Sequence, residues 1–175
     1  AYQATKHLIS LGHQKIAHLM GNPKSAGAME RLRGYSQALE DHHLETESSL
    51  IKVGNYLFND GYTAAVELLN ENPPFTGIFC ANDNMAIAFI KAALEKDVRI
   101  PEDISVIGFD DVYDQELLIK NVPPLTTIRQ PYQEMARYAV EALIHLINGQ
   151  EFPGNNVFKG KLIIRDSTNK PNTRS

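Results

Sequence analysis

Hydrophobic residues along the chain alternate between two spacings. Short, nearly continuous apolar runs, each typical of a buried strand, occur at residues 15–20, 50–53, 77–81, 104–109 and 125–128. Apolar residues spaced three or four apart, the pattern of a helix face, occur at residues 4–11, 32–39, 62–69, 84–96 and 131–148. Gly12 and Gly149 follow two of these segments, where glycine often ends a helix.

This alternation predicts an α/β fold. Several of the strands are apolar on both faces, so we expect a mostly parallel sheet with helices on both faces. A last strand is predicted near residues 162–164. The polar segment 166–175 after it is expected to be a mobile tail.

Composition narrows the functional class. The chain has 175 residues, of which 43% are hydrophobic, and its net charge is −4 with a pI near 5.9. An autonomous nucleic-acid binder is usually basic, so we do not expect these residues to bind DNA by themselves. No apolar run approaches the ~20 residues of a membrane span. The single cysteine, Cys80, excludes an internal disulfide and fits a reducing cytoplasm.

Polar side chains follow four of the predicted strands. They are Arg31, Tyr56, Asn82 and Asp110. The carboxyl ends of parallel strands meet at one edge of a sheet, where ligands bind. A guanidinium donates hydrogen bonds to hydroxyl groups, a carboxylate accepts them, and an amide can do either. An aromatic ring packs against an apolar face of the ligand. The set predicts a site for a polyhydroxylated molecule with one hydrophobic side.

Each of these residues also has an alternative role. Asp110 or the adjacent Asp111 could cap a following helix, and we favour capping for Asp111. Asn82 and Asp83 precede a predicted helix and could cap it. Arg31 could pair with a surface glutamate, and Tyr56 could pack at a loop rim. Only their joint placement favours binding.

No sequence motif indicates a metal, a cofactor or an enzyme. His13 and His18 lack the spacing of a helical metal site, and one cysteine cannot form a zinc cluster. The chain has no G-x-G-x-x-G and no G-x-S-x-G motif. An acid pair after an apolar strand is also found in phosphoacceptor receiver domains, which stays a minor alternative.

The predicted helix at 84–96 is apolar nearly all round. One face packs on the sheet, so we expect the rest to meet a second subunit. The alternative is burial beneath other helices of the same chain.

Five segments together resemble the lactose-repressor/galactose-repressor family of bacterial transcription regulators. They are HLISLGHQKIAHLMG (7–21), ERLRGYSQALED (30–41), GIFCANDNMAIAFIKAALEKDVRIPEDISVIGFDD (77–111), PLTTIRQP (124–131) and LIIRDST (162–168). They run in order across nearly the whole chain but cover only the later half of such a protein.

The resemblance implies a periplasmic-binding-protein-like effector region. It implies that residues 1–124 form the C-terminal effector-binding subdomain, that 125–153 cross to the N-terminal subdomain, and that 154–175 are a return strand and polar tail. Full-length members are homodimers that bind operator DNA through an N-terminal helix-turn-helix in the cytoplasm. The expected function is effector binding, most simply of a sugar, and dimerisation in a repressor of a carbohydrate operon.

By motif position, the family's effector contacts fall on Arg31, Tyr56, Asn82 and Asp110. Ser25, in the loop 23–29, and Asp83 are secondary candidates. The family's dimer surface falls near Ile87, Ile90 and Leu118. The family also contains purine binders and members that answer to a phosphorylated partner protein.

Two other classes stay open: a sugar-binding protein of a transport system, and an α/β enzyme. We also expect the apolar stripe of the helix at 131–148, including Leu143 and Leu146, to need a cover. That helix should therefore be displaced, swapped between chains or packed on a neighbour.

Overall fold

A computed structural model describes residues 1–71, 74–112, 122–152, 154 and 156–172. The strands are β1 (Ile16–Met20), β2 (Ile51–Val53), β3 (Gly77–Cys80), β4 (Ser105–Asp110), β5 (Thr126–Arg129) and β6 (Lys161–Ile163). The helices are α1 (Tyr2–Ser10), α2 (Ala26–Asp41), α3 (Phe58–Glu71), α4 (Asp83–Leu94) and α5 (Tyr132–Ile147), and a short 3-10 turn, Ser48–Leu50, precedes β2.

The strands form one six-stranded sheet in the order β2-β1-β3-β4-β5-β6. The first five are parallel and β6 is antiparallel to β5. The predicted α/β fold with a mostly parallel sheet is confirmed. The sheet also continues from β4 to β5, across the predicted boundary at residue 124, and the assignment of segments to two subdomains stays a prediction.

Two hydrophobic clusters cover the two faces of the sheet, as predicted. Leu19 and Ile78 point into a cluster with α3 and α4. Ile16 and Phe79, on the same two strands, point into a cluster with α1 and α2 on the opposite face. Alternate residues of a strand face opposite sides, so strands covered on both sides are apolar throughout.

Helix α4 is buried within its own chain. Ile87 is 7% exposed and Ile90 is 0% exposed. The alternative, burial within the same chain, is therefore observed for this face, while the dimer-interface role of Ile87 and Ile90 stays a prediction. The prediction of Ile87 and Ile90 in a dimer interface relied partly on exposed apolar surface, which these two residues do not have. Leu118 lies outside the described residues.

Helix α5 is the opposite case. None of its residues is buried, and Leu143 and Leu146 are 57% and 65% exposed. The described part of the chain contacts it without burying it: Tyr138 packs edge-on against Phe152 and Phe158, and the His145 ring lies 5.3 Å from the Phe152 ring. An ordered α5 with Leu143 and Leu146 exposed counts against the expectation that the helix is displaced, and its cover by a neighbouring chain stays a prediction.

Residues 166–172 are packed along the amino ends of the strands, so the prediction of a mobile tail is wrong for them. Ser167 is fully buried, its Oγ donates to the Val106 carbonyl at 2.6 Å and accepts from the Thr126 N–H at 2.8 Å. The Asn169 carbonyl accepts from Ser105 Oγ at 3.0 Å and lies 2.9 Å from His13 Nε2.

None of the described helices combines the length and the hydrophobicity needed to cross a lipid bilayer.

Candidate functional site

Arg31 is the centre of a polar cluster at the carboxyl edge of the sheet. It lies in α2, the helix that follows β1, and its side chain is 19% exposed. Its guanidinium carbon lies 4.1 Å from the Phe109 ring centre and 5.3 Å from the Tyr56 ring centre. Nη1 also donates to Tyr56 Oη at 2.9 Å. Two aromatic rings and a hydroxyl therefore hold the cation in one orientation.

Tyr56 is placed by its backbone and by a glycine. Its φ is +67°, a left-handed value that few residues other than glycine adopt readily. Its ring lies against Gly21, where an added Cβ would come within 2.1 Å of the ring. Asn82 Nδ2 donates to the Tyr56 carbonyl at 3.0 Å. The aromatic side chain is therefore fixed against the end of β1.

Both polar atoms of the Asn82 side chain form hydrogen bonds within the protein. Besides its bond to Tyr56, its Oδ1 accepts from the Met85 N–H at 3.0 Å and caps α4. The capping alternative is therefore observed for Asn82, while a contact with an effector stays a prediction.

The loop after β1 brings Ser25 to the same place. A Cβ added to Gly27 would lie 3.7 Å from Ser25 Oγ, 3.8 Å from Tyr56 Oη and 4.0 Å from Arg31 Nη1. Ser25 is the N-cap residue of α2, yet its hydroxyl makes no capping bond. Two hydroxyls and a guanidinium thus surround the glycine at the start of α2.

Asp110 completes the cluster from the end of β4. Its Oδ1 lies 3.9 Å from Arg31 Nη2 and accepts from Gln130 Nε2 at 2.6 Å. Partial burial raises the pKa of Asp110, against the opposing effects of Gln130 and Arg31. The Asp110 side chain is 21% exposed, so a ligand can reach it.

The two neighbouring acids point elsewhere. Asp111 accepts from Arg129 Nε at 2.5 Å and from Arg165 Nη2 at 2.7 Å. Asp83, a secondary effector candidate, is fully buried and accepts hydrogen bonds only from protein groups in the described region. Neither is on the accessible rim. The helix that Asp111 was expected to cap lies outside the described residues.

The structure therefore brings Arg31, Tyr56, Asn82 and Asp110 together, with Ser25 beside them. A cavity of about 410 Å³ borders the cluster through Phe109 and Gln130. The set presents a cation, an anion, hydroxyls and aromatic surface, a combination suited to binding and orienting a hydroxylated ligand. In the described region no three His, Cys, Asp or Glu side chains form a metal-binding group.

Sequence reasoning missed two residues of the cluster, Phe109 and Gln130. Gln130 directly follows β5, so the strand-end rule that selected the others would have found it. Phe109 lies inside an apolar run, and nothing in the sequence distinguishes a ring that stacks on Arg31 from an ordinary core residue.

Comparison with known proteins gives one consistent family. The chain matches the family described as periplasmic binding protein-like domain over residues 5–168. It is 37% identical over 171 residues to the HTH-type transcriptional regulator AscG of Escherichia coli K12, which covers 98% of this chain and 50% of the relative.

Two solved structures show the same fold in regulators of this kind. The transcriptional regulator CelR in complex with cellobiose matches with a TM-score of 0.88 at 33% identity, over 95% of this chain and 50% of that one. The lac repressor dimer bound to operator and the anti-inducer ONPF matches with a TM-score of 0.85 at 32% identity, over 96% and 58%.

The chain spans about half the length of the curated relatives that it matches. Over nearly its whole length it is similar in sequence and in fold to their effector-binding region, and its polar cluster lies at the carboxyl edge of the sheet, where the strand ends predicted it. The chain belongs to the periplasmic-binding-protein-like domain family, among the lactose-repressor/galactose-repressor transcription regulators.

Proposed function

We propose that this chain is the effector-binding and dimerisation region of a cytoplasmic transcription regulator, a repressor of a carbohydrate operon. The observation that carries the proposal is the contact between Arg31, Tyr56 and Asp110 at one accessible edge of the sheet. Opposite charges 3.9 Å apart and partly exposed leave hydrogen-bonding capacity for a neutral ligand with several hydroxyl groups.

A sugar is the effector that this chemistry favours. The Asp110 carboxylate accepts from hydroxyl groups and the Arg31 guanidinium donates to them, while Tyr56 offers a flat apolar surface. CelR, a structural relative, is known in complex with cellobiose. A purine effector would gain less from this arrangement, because the Arg31 guanidinium already lies over both the Tyr56 and the Phe109 rings and leaves limited area for stacking.

DNA binding and dimerisation belong to the whole protein. A net charge of −4 argues against DNA contact by these 175 residues. A relative, the lac repressor, is known as a dimer bound to operator. We place DNA binding in an N-terminal helix-turn-helix outside this chain, with residues 1–124 as one subdomain and 125–153 crossing to another.

Effector binding would act by shifting a conformational equilibrium. A ligand held between two subdomains favours the arrangement in which it makes more contacts, and its effect on DNA affinity is limited by that difference, typically ~1–3 kcal/mol. Because this chain supplies one side of such a cleft, we expect it to bind the effector more weakly than the full-length protein does.

Isothermal titration calorimetry on the full-length protein tests the proposal. The probes are glucose, galactose, ribose and cellobiose, with hypoxanthine as the purine. We expect at least one sugar to bind, and Arg31→Ala or Asp110→Ala to remove roughly 2–5 kcal/mol of binding free energy, since each leaves a partly buried partner unpaired.

Arg33→Ala is the matched control. Arg33 lies on the same helix as Arg31 but is exposed and pairs with Glu30. It should leave sugar affinity unchanged. Wild-type affinity in both Arg31→Ala and Asp110→Ala would disprove the site, and binding of hypoxanthine alone would disprove the sugar.

A further inference from the structure

One fully buried carboxylate holds the loop that carries Asp110. Asp83, the first residue of α4, accepts at Oδ2 from the backbone N–H groups of Asp111, at 2.7 Å, and Val112, at 3.2 Å. Its Oδ1 accepts from Thr127 Oγ1 at 2.6 Å. A single side chain therefore joins α4, β5 and the segment after β4.

The segment that Asp83 holds is strained. Asp110 has a φ of +120°, which residues other than glycine rarely adopt, and Asp111 has a φ of +60°, a left-handed value that aspartate tolerates better than most residues. Such conformations persist only where the surrounding structure enforces them. The two N–H groups that Asp83 binds belong to Asp111, the second of these residues, and to Val112, the residue that follows it.

The surrounding sequence leaves room for this carboxylate. A Cβ at Gly108 would come within 2.2 Å of Asp83 Oδ1. Any larger residue at position 108 would push Asp83 away, so a glycine inside β4 has a steric reason to be there.

We propose that Asp83 is a positioning residue for effector binding: it fixes the left-handed backbone at Asp110 and Asp111 and thereby directs the Asp110 carboxylate toward Arg31, without touching the effector. This inference rests on the proposed function of Asp110. It replaces the expectation that Asp83 itself contacts the effector.

Two substitutions separate this role from general stabilisation. Asp83→Asn keeps the shape: the amide oxygen can accept from both N–H groups, and its NH₂ can donate to Thr127 Oγ1, whose hydroxyl can reverse. Asp83→Ser is too short to reach the loop but suits the first turn of a helix.

The first readout needs no ligand. Crystal structures of the full-length wild type and both variants should show Asp110 near Arg31 in wild type and Asp83→Asn. In Asp83→Ser the backbone at residues 110–111 should leave the left-handed region and the Asp110 carboxylate should turn away. An unchanged Asp110 in Asp83→Ser would overturn the proposal, whether or not any sugar binds. If the wild type binds no sugar, only the proposed function fails.

The second readout is calorimetry with the tightest-binding sugar of the glucose, galactose, ribose and cellobiose panel. Asp83→Ser should lower affinity about tenfold or more, and Asp83→Asn should stay within about threefold of wild type. In an Asp110→Ala background, Asp83→Ser should have no further effect, because Asp83 acts through Asp110. An equal loss in both backgrounds would indicate a structural role only.

Thr127→Val covers the case in which Asp83→Ser does not fold. It removes one of the three hydrogen bonds to Asp83 and keeps the side-chain volume, so we expect about a threefold loss of sugar affinity. Wild-type affinity in Thr127→Val together with an unfolded Asp83→Ser would overturn the proposal.

Discussion

Helices α4 and α5 have similar hydrophobic sequences and opposite environments. Nine of the twelve residues of α4 are buried, whereas none of the sixteen in α5 is. Both were expected to leave apolar surface for another partner, and only α5 does so within the described chain. The amount of apolar surface on a helix therefore does not decide whether it is covered; the neighbouring elements do.

The neighbours of α4 explain its burial. It packs on the sheet beside α3, and the two helices approach closely because Gly61 of α3 faces Met85. A Cβ at Gly61 would lie 2.9 Å from Met85 Cγ and 3.2 Å from its Cα. No comparable glycine brings a described element close to α5.

The largest expected contrast is in the core. Phe89 of α4 is fully buried, and Phe89→Ala should lower the free energy of unfolding by about 3–5 kcal/mol through lost burial and a cavity. Leu143→Ala, on the exposed face of α5, should change it by no more than about 0.5 kcal/mol. Urea unfolding of both variants of this chain measures the difference. Equal effects would show that α5 is covered in solution.

The second contrast concerns the acids in the first turns of the two helices. Burial raises the pKa of Asp83 from 3.8 to about 6. Between these values the folded state holds the proton and the unfolded state has lost it, so the free energy of unfolding should fall as pH rises from 4 to 6, by roughly 3 kcal/mol in total.

Asp83→Asn should remove that part of the pH dependence, and unfolding curves at pH 4, 5, 6 and 7 measure it. Glu134→Gln, which replaces an exposed acid in the first turn of α5, is the control and should retain the fall in stability between pH 4 and 6 that Asp83 causes. A wild-type profile in Asp83→Asn would mean that this carboxylate titrates normally.

A third contrast tests the close approach of α3 and α4. Alanine is the better helix former, yet Gly61→Ala should destabilise the chain by about 1–3 kcal/mol because the added methyl group meets Met85. Gly154→Ala, where an added Cβ meets nothing within 4 Å, is the matched control for urea unfolding. A stabilised Gly61→Ala would show that α3 and α4 can separate without cost.

The smallest effect is expected on α5 itself. Leu146→Gln combined with Ile147→Gln, at positions 65% and 74% exposed, should change the stability of this chain by within about 0.5 kcal/mol. In the full-length protein the same pair should destabilise more strongly, because residues 125–153, which we propose to cross to a second subdomain, include α5. Comparing thermal unfolding of the two forms decides whether the stripe is an internal contact.

Much of the fold and the centre of the site follow from the sequence. Apolar runs place the strands, and the strand-end rule selects Arg31, Tyr56 and Asp110, because parallel topology alone brings such residues together.

What could not be predicted depends on tertiary contacts. The segment at 166–172 is polar in composition, yet Ser167 is buried because its hydroxyl satisfies backbone groups of two strands. The buried Asp83 carboxylate accepts a hydrogen bond from Asp111, which lies 28 residues further along the chain. No local pattern indicates either.

The packing of residues 166–172 also bears on how the protein is made. A ribosome completes β4 and β5 well before it reaches Ser167, so the Thr126 N–H and Val106 carbonyl emerge without the hydroxyl that later binds them. Domains tend to fold as units during synthesis, and incomplete domains expose hydrophobic surface that is prone to aggregation. For this protein the interval of vulnerability closes only after Ser167, which lies 41 residues beyond Thr126, has been synthesised.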